Sequence, residues 1–322
     1  MRPLSLKGHE RPITRVRLNR EGDVLLSASK DKCICVWYTE NGERIGSYEG
    51  HAGAIFDIDV TWDTKTLVSA AADSSIKVWD VETGRNLEST TMPSNARSLG
   101  LSYSGNLVAV TTTKMMQTAP TLCVVDLRES PPSFIMQNSV SSQSESCTFS
   151  NLDNCIVIGC NDGSIHQYDL RQPGDAVNFN HVHHYNVTDL QLSNDQGFII
   201  SSSADKTAQL HNARNLESLK KYKSNRPVNS AAISPTRDHI VLGGGEEART
   251  VTQTAASSGQ FEAKFYHLVY EEEFARLKGH FGPINTIAFD PTGDIVVSGS
   301  EDGYIRIQQL DDDYKQFDFD FQ

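Results

Sequence analysis

Short runs of alternating apolar and polar residues, separated by turn residues, cover most of the chain. In one representative stretch the alternation predicts strands at residues 55–60, 67–71, 76–79 and 86–90, and the segments between them are rich in Asp, Ser, Thr and Gly. No stretch shows the spacing of an amphipathic helix. The chain is therefore predicted to be all β, with four antiparallel strands in each unit of about 42 residues.

A four-residue pattern recurs in register with these units. Its copies are His9, Ser27, Asp31 and Trp37; His51, Ser69, Asp73 and Trp79; His183, Ser201, Asp205 and His211; and His280, Ser298, Asp302 and Gln308. The interval is 22 residues from His to Asp, 4 from Ser to Asp and 6 from Asp to the last member in every copy. Ten histidines placed at random would not keep this register, so the chain is a repeat array.

The unit resembles the blade of WD-repeat proteins. Gly-His pairs stand at its head, and Val78-Trp79-Asp80 at its end. Spacing between equivalent aspartates gives seven units, of which the third, fourth and sixth lack a complete pattern. The resemblance predicts an all-β, seven-bladed WD-repeat β-propeller with four-stranded antiparallel blades, filling residues 1–322 as a single domain.

Two segments compete for the outer strand of the last blade. Residues 3–9 match residues 275–280 near the Gly-His head, which predicts that the N-terminal strand closes the ring. Residues 314–321 occupy the same repeat position, and Phe317, Phe319 and Phe321 alternate with acidic residues there. We expect the N-terminal strand to close the blade and the acidic aromatic tail, 311–322, to lie beside it.

The recurring pattern predicts a framework rather than an active site. A buried Asp in a tight turn is costly unless hydrogen-bonded, and His, Ser and Trp can supply the donors that link strands of one blade. A hydrolase triad is the alternative, but it would need to explain four copies in register. Burial of Asp31, Asp73, Asp205 and Asp302 would exclude an enzyme that uses them. We therefore predict no catalytic residues.

Composition narrows the classes of partner. The formal charge is −12 with a pI near 5.3, which predicts little or no direct nucleic-acid binding. No apolar run has the length of a signal peptide or membrane span, so a cytoplasmic protein is expected.

The six cysteines form no CxxC pair and are expected to be reduced thiols. His181 and His183 lack further ligands nearby, so neither metal nor cofactor is predicted.

Several segments outside the repeat pattern resemble subunit I of eukaryotic translation initiation factor 3. The resemblance is carried by stretches in the first, second, fifth, sixth and seventh units, which read Asn41-Gly42-Glu43-Arg44, Trp62-Asp63-Thr64-Lys65, Arg226-Pro227-Val228-Asn229, Gly243-Gly244-Gly245-Glu246, Glu271-Glu272-Glu273-Phe274 and Lys278-Gly279-His280-Phe281. It extends from Gly8-His9 to the acidic aromatic tail. The third and fourth units resemble the family least.

This resemblance implies a non-catalytic scaffold that supports recruitment of the small ribosomal subunit and scanning. In that family a C-terminal helix of the factor's B component docks around the fifth and sixth blades, and the factor's G component binds the same module. The matching positions imply exposed partner contacts at Asn212, Tyr222, Asn225 and Arg226. For Leu210, Leu216 and Leu219 the sequence leaves two roles open, as apolar anchors for a docked helix or as part of the core between blades. A WD-repeat adaptor that binds a receptor kinase is the alternative function.

Overall fold

The computed structural model describes residues 3–115, 118–172, 174–245 and 261–317. Within these ranges the strands form seven four-stranded antiparallel sheets, each a blade whose first strand contacts the first strands of its two neighbours. The inner strands therefore close into a ring. The predicted seven-bladed propeller is confirmed, and the four strands predicted in the second unit match the observed ones to within one residue.

The first three blades follow one another directly along the chain. The strands of blade one are β2 (Ile13–Leu18), β3 (Val24–Ser29), β4 (Cys33–Tyr38) and β5 (Arg44–Glu49); of blade two β6 (Ile55–Val60), β7 (Thr66–Ala71), β8 (Ser75–Asp80) and β9 (Asn86–Thr91); and of blade three β10 (Ala96–Leu101), β11 (Leu107–Thr112), β12 (Thr121–Asp126) and β13 (Ser133–Ser139). In each blade the first strand is innermost and the fourth outermost.

The same order continues in the second half. The strands of blade four are β14 (Ser144–Ser150), β15 (Cys155–Cys160), β16 (Ser164–Asp169) and β17 (Asn178–His181); of blade five β18 (Val187–Leu192), β19 (Phe198–Ser203), β20 (Thr207–Asn212) and β21 (Ser218–Lys223); of blade six β22 (Val228–Ile233), β23 (His239–Gly244), β24 (Phe261–His267) and β25 (Glu273–His280); and of blade seven β26 (Ile284–Phe289), β27 (Ile295–Ser300) and β28 (Tyr304–Gln309).

The N-terminal strand β1 (Leu4–Lys7) completes blade seven. It pairs antiparallel with β28, and Leu4 lies opposite Ile307. The predicted closure of the ring by the N-terminus is confirmed. Leu6 is buried in an apolar cluster shared with blade one, so β1 also seals the junction between the last and first blades.

The described part of the C-terminal tail takes another course. A five-residue helix, α1 (Asp312–Gln316), is capped by Asp311, whose carboxylate accepts a hydrogen bond from the Tyr314 backbone N–H at 3.1 Å. Tyr314 packs against Phe265 of blade six at 5.4 Å, and its hydroxyl lies 3.0 Å from His239 Nδ1. In its described part, 311–317, the tail places Tyr314 over the apolar junction of blades six and seven. That the whole tail, 311–322, lies beside the closing blade stays a prediction. Phe319 and Phe321 lie outside the described residues.

The core of the described chain lies between blades rather than at the centre of the ring. Seven clusters of buried apolar residues occur, one at each junction of neighbouring blades. Successive side chains of a strand point to opposite faces, and each blade has a neighbour on both faces, so the middle strands are buried on both sides. The loops, the channel and the outer strands are therefore left for polar groups and partners.

Candidate partner-binding surface

The recurring His, Ser, Asp and Trp residues meet in blade one as a hydrogen-bonded chain. His9 Nδ1 lies 2.8 Å from Asp31 Oδ2, and His9 Nε2 lies 2.8 Å from Ser27 Oγ. Trp37 Nε1 donates to the same Ser27 Oγ at 3.0 Å. Since an ionised carboxylate can only accept, the imidazole proton resides on Nδ1, and Nε2 accepts from the serine. Blade two repeats this tetrad with His51, Ser69, Asp73 and Trp79 at 2.7 to 2.9 Å.

Blades five and seven keep the first three members of the tetrad and change the fourth. His183 lies 3.0 Å from Asp205 and 2.8 Å from Ser201, while His280 lies 3.2 Å from Asp302 and 2.7 Å from Ser298. In blade five His211 Nε2 takes the place of the Trp donor, 2.8 Å from Ser201 Oγ. Its Nδ1 is buried and has no hydrogen-bond partner among the described residues.

Hydrogen bonds and burial shift the pKa values of several tetrad residues. Burial alone would raise the pKa of Asp73, but hydrogen bonds from Ser75 and His51 outweigh it and lower the pKa to about 2. The same balance, with His280 as the main donor, lowers the pKa of Asp302 to about 2. Burial lowers the pKa of His51 and His183 despite their carboxylate partners. In blades two and five the tetrad Asp is therefore ionised and the tetrad His neutral at neutral pH.

The tetrads cannot present their serines to a substrate. Ser27, Ser69 and Ser201 are completely buried, Ser298 is 4 % exposed, and the four Asp side chains are at most 15 % exposed. A nucleophile must reach a substrate, so a buried hydroxyl flanked by strands is poorly placed for catalysis. The geometry instead ties the turn after the second strand to the head of the blade.

A second polar layer, which the sequence pattern did not predict, crosses the central channel. It consists of the third residue of every inner strand, namely Arg15, Asp57, Ser98, Ser146, Asp189, Ser230 and Thr286. All seven side chains are buried. In each inner strand the ladder register slips between the first and third residues. Such a bulge re-aims the side chain that follows it, and here it turns a polar residue towards the axis.

Arg15 is the centre of this axial layer. Its Nη1 donates to Asp189 of blade five at 2.7 Å, and its Nε lies 2.9 Å from Asp57 of blade two in a bent ion pair. Ser98 and Ser230 donate to the second oxygens of Asp57 and Asp189, each at 2.7 Å. Burial would lower the pKa of Arg15, but the two carboxylates outweigh it and raise the pKa.

The axial layer separates two open mouths of the channel. The upper mouth, lined by connections between blades and by loops between second and third strands, encloses about 460 Å³. The lower mouth, lined by loops between first and second strands, encloses about 510 Å³. The four tetrad aspartates line neither cavity. Both mouths and the outer wall are the surfaces on which a partner could dock.

The structure distributes the four predicted partner contacts unevenly along the wall of blades five and six. Asn225 is exposed, and Asn212 and Arg226 are half-buried. Tyr222 is completely buried, and its hydroxyl donates to the Leu268 carbonyl of blade six at 2.6 Å. The prediction of Tyr222 as an exposed contact is wrong, because its side chain fills the junction between the blades. Tyr48, the equivalent fifth residue of its outer strand, makes the same bond to Val81 at 2.8 Å.

One exposed apolar side chain stands among polar and charged ones on that wall. Leu210 and Leu216 are buried between blades, whereas Leu219 is 42 % exposed. The wall also carries bridges from blade five to blade six, since Lys220 Nζ lies 3.5 Å from Glu271 and Lys264 donates to Asn225 at 2.9 Å. We call Leu219, Lys220, Asn225, Arg226 and Lys264 the blade-five wall. Its apolar anchor is Leu219 alone.

Several other expectations concern sites rather than surfaces. All six cysteines are free thiols. Among the described residues no group of three His, Cys, Asp or Glu side chains is placed to hold a metal ion. Within the same part of the chain no helix has the length and apolar character needed to cross a membrane. The polar run from Thr250 to Ser258, between the second and third strands of blade six, lies outside the described residues.

Comparison with known proteins places these surfaces in context. A family model described as EIF3I matches residues 1–320. The chain is 57 % identical to eukaryotic translation initiation factor 3 subunit I of Brugia malayi over 329 aligned positions, which cover all of both chains. It is 55 % identical to the protein of that name in Caenorhabditis elegans over all of both chains, and 44 % identical to that of Drosophila melanogaster over 98 % of each. The chain belongs to the family of eukaryotic translation initiation factor 3 subunit I.

Proposed function

We propose that this protein is a non-catalytic scaffold of translation initiation factor 3, and that its blade-five wall receives the C-terminal helix of the factor's B component. The full-length similarity to proteins named as subunit I carries the first part of the proposal. In this function it works in the cytoplasm, binds the G component as well, and supports recruitment of the small ribosomal subunit and scanning through the assembled complex. The relatives' names give no support to the alternative of a receptor-kinase adaptor.

The chemistry of the blade-five wall supports a helical partner. An amphipathic helix docks through a few apolar anchors flanked by polar contacts. Leu219 supplies an exposed anchor, and the other wall residues Lys220, Asn225 and Lys264 make contacts that bridge blades five and six. A preorganised surface loses little conformational entropy on binding.

The test is calorimetric titration of the whole protein with a peptide that spans the C-terminal helix of the B component. We expect Leu219→Asp to weaken binding by about tenfold or more, as for loss of a central apolar anchor. Arg226→Glu should weaken it less, because this residue stands at the edge of the wall.

The matched control is Leu87→Asp. Leu87 is the second residue of the outer strand of blade two, as Leu219 is of blade five, and it is 54 % exposed. It should leave affinity unchanged. Equal affinity for wild type and Leu219→Asp would place the binding site of the B component elsewhere. Truncation of the buried Tyr222 is unsuitable as a test, because it would destabilise the junction of blades five and six.

A further inference from the structure

Exposed aromatic side chains gather at the lower mouth of the channel, far along the chain from the blade-five wall. In blades one to three the second residue after the inner strand is Arg20, Trp62 and Tyr103, and blade four adds Leu152 in the equivalent loop. Trp62 is 47 %, Tyr103 51 % and Leu152 70 % exposed. We call these four residues the lower-mouth arc. Trp37 and Trp79, the other two tryptophans, are buried.

The arc is stacked. The Arg20 guanidinium lies 4.3 Å from the centre of the Trp62 ring, and the Trp62 and Tyr103 rings are 4.9 Å apart and tilted by 46°. The guanidinium covers one part of the indole, and about half of each aromatic side chain stays exposed to solvent. Aromatic rings of this kind bind through large rigid surfaces that lose little entropy on contact.

Hydrogen bonds between neighbouring loops hold the Tyr103 and Leu152 end of the arc in place. Asp153 of blade four accepts from the backbone N–H groups of Tyr103 and Ser104 at 2.5 and 2.9 Å. The Leu152 N–H in turn donates to Gln196 of blade five at 3.1 Å. Three successive blades are thereby linked at this mouth. The exposed apolar groups are thus parts of a fixed surface rather than of independent loops.

The charges around the arc select the kind of partner. The seven loops of the lower mouth carry three basic residues, Arg20, Lys65 and Arg237, and eight acidic ones, Glu21, Asp23, Asp63, Asp153, Asp195, Asp238, Asp290 and Asp294. Nucleic-acid sites rely on an excess of positive charge to hold phosphates, which is the reverse of this pattern. An acidic rim around an aromatic surface instead complements a segment that is basic and apolar.

The shape of the lower-mouth arc favours an extended segment of a partner protein. Exposed aromatic side chains placed side by side are the kind of surface on which polyproline-type ligands dock, because the extended chain is preformed and packs its rings against the aromatic faces. Leu152 extends the apolar surface beyond Tyr103 in the direction of blade five. A folded partner is not required to fill such a surface.

We propose that the lower-mouth arc is a second protein-binding site of this scaffold, and that it takes an extended, basic, proline-containing segment of a partner protein. The proposal is independent of the blade-five wall, since the two surfaces share no residue. The scaffold would then hold two partner segments at once, one helical on its wall and one extended at the mouth of its channel.

The experiment uses Trp62 as an internal probe in the full-length protein. A repeating Pro-Leu-Arg peptide is titrated into protein labelled with ¹⁵N at its tryptophans, and the three indole N–H signals are followed by NMR. We expect the Trp62 signal, assigned by its loss in Trp62→Phe, to shift in a saturable manner while those of Trp37 and Trp79 stay fixed. Tyr103→Ala should weaken binding by about tenfold. The Leu219→Asp variant should bind as wild type does.

Two matched probes and one control variant decide the outcome. A repeating Pro-Leu-Glu peptide should cause no shift, and Tyr185→Ala, which removes an aromatic side chain that is 65 % exposed on another loop, should leave affinity unchanged. The proposal is overturned if the basic peptide does not shift the Trp62 signal, if Tyr103→Ala binds as tightly as wild type, or if oligouridine saturates the site where the peptide does not.

Discussion

The fourth tetrad residue shows how one side chain changes the chemistry of a blade. In blades one and two the Trp indole donates to the central Ser and carries no titratable group. In blade five His211 takes that place as a donor through Nε2, so the proton must sit there and Nδ1 has no partner in the described part of the chain. Burial, together with the nearby His183, lowers the pKa of His211 to about 3. The fourth tetrad position carries no titratable group in blades one and two, but in blade five it carries an imidazole that acid can protonate.

This substitution predicts a specific pH dependence of stability. The unfolded chain protonates His211 near its ordinary pKa of 6.5, whereas the folded state resists protonation down to about pH 3. Stability is therefore unaffected above pH 6.5 and falls below it, by up to roughly 1.4 kcal/mol per pH unit for this residue. Urea unfolding of His211→Gln at several pH values between 7 and 4 should show a shallower loss than wild type.

The control for His211 is the exposed His184. His184→Gln removes an exposed side chain and should leave stability close to that of wild type. His51 and His183 also have lowered pKa values, so some acid sensitivity remains in His211→Gln. Identical slopes for wild type and His211→Gln would show that the folded blade accommodates the charged ring.

At the scale of the strand, the same β-bulge is repeated in every blade. Each inner strand slips its register before its third residue and sends that residue into the axial layer. Apolar residues at these positions would leave only weak contacts across the axis, whereas hydrogen bonds and ion pairs fix distant blades relative to each other. Through its two ion pairs, the single side chain of Arg15 joins blades one, two and five.

Substitution of Arg15 tests the strength of that link. Arg15→Met leaves Asp57 and Asp189 buried without their cation, which should lower the free energy of unfolding by about 3–5 kcal/mol. Arg17→Met is the matched control, since Arg17 pairs with Asp59 two residues further along the same strands at 3.4 Å but is partly exposed. That control should cost less than about 1 kcal/mol. Chemical denaturation of both variants measures the difference.

A compensating variant separates charge from packing in the axial layer. Asp57→Asn and Asp189→Asn, added to Arg15→Met, remove the unpaired charges and keep acceptors for Ser98 and Ser230. Most of the lost stability should return. A triple variant as unstable as Arg15→Met would mean that the arginine acts by filling space.

The sequence predicted those features whose residue type is repeated. The tetrads keep His, Ser and Asp at fixed intervals because each role admits few side chains, and the strands follow from alternation. The axial layer could not be predicted in this way because Arg, Asp, Ser and Thr all occur at its positions. The one sequence pattern that indicates it is a polar third residue in every inner strand. Tyr222 was misplaced because alternation does not identify which face meets the next blade, although the equivalent Tyr48 carries the same side chain.

At the scale of the whole molecule, the ring leaves three distinct surfaces. Pairing of β1 with β28 closes the propeller, and α1 covers the junction of blades six and seven. Junctions between blades and the axial layer fill the interior of the ring. The wall, the upper mouth and the lower mouth are therefore the surfaces on which partners can dock. Such a body suits a protein that holds other chains in position. Its membership of an initiation-factor family agrees with that role.

The most direct test of this account is affinity purification of the tagged protein from its own cells, followed by quantitative mass spectrometry. We expect wild type and Leu87→Asp to recover the other components of translation initiation factor 3 in nearly equal amounts. Leu219→Asp should recover much less of the B component and of the components that bind through it, while its thermal unfolding midpoint matches that of wild type. Recovery of the same components in the same amounts with Leu219→Asp, or their absence with wild type, would contradict the account.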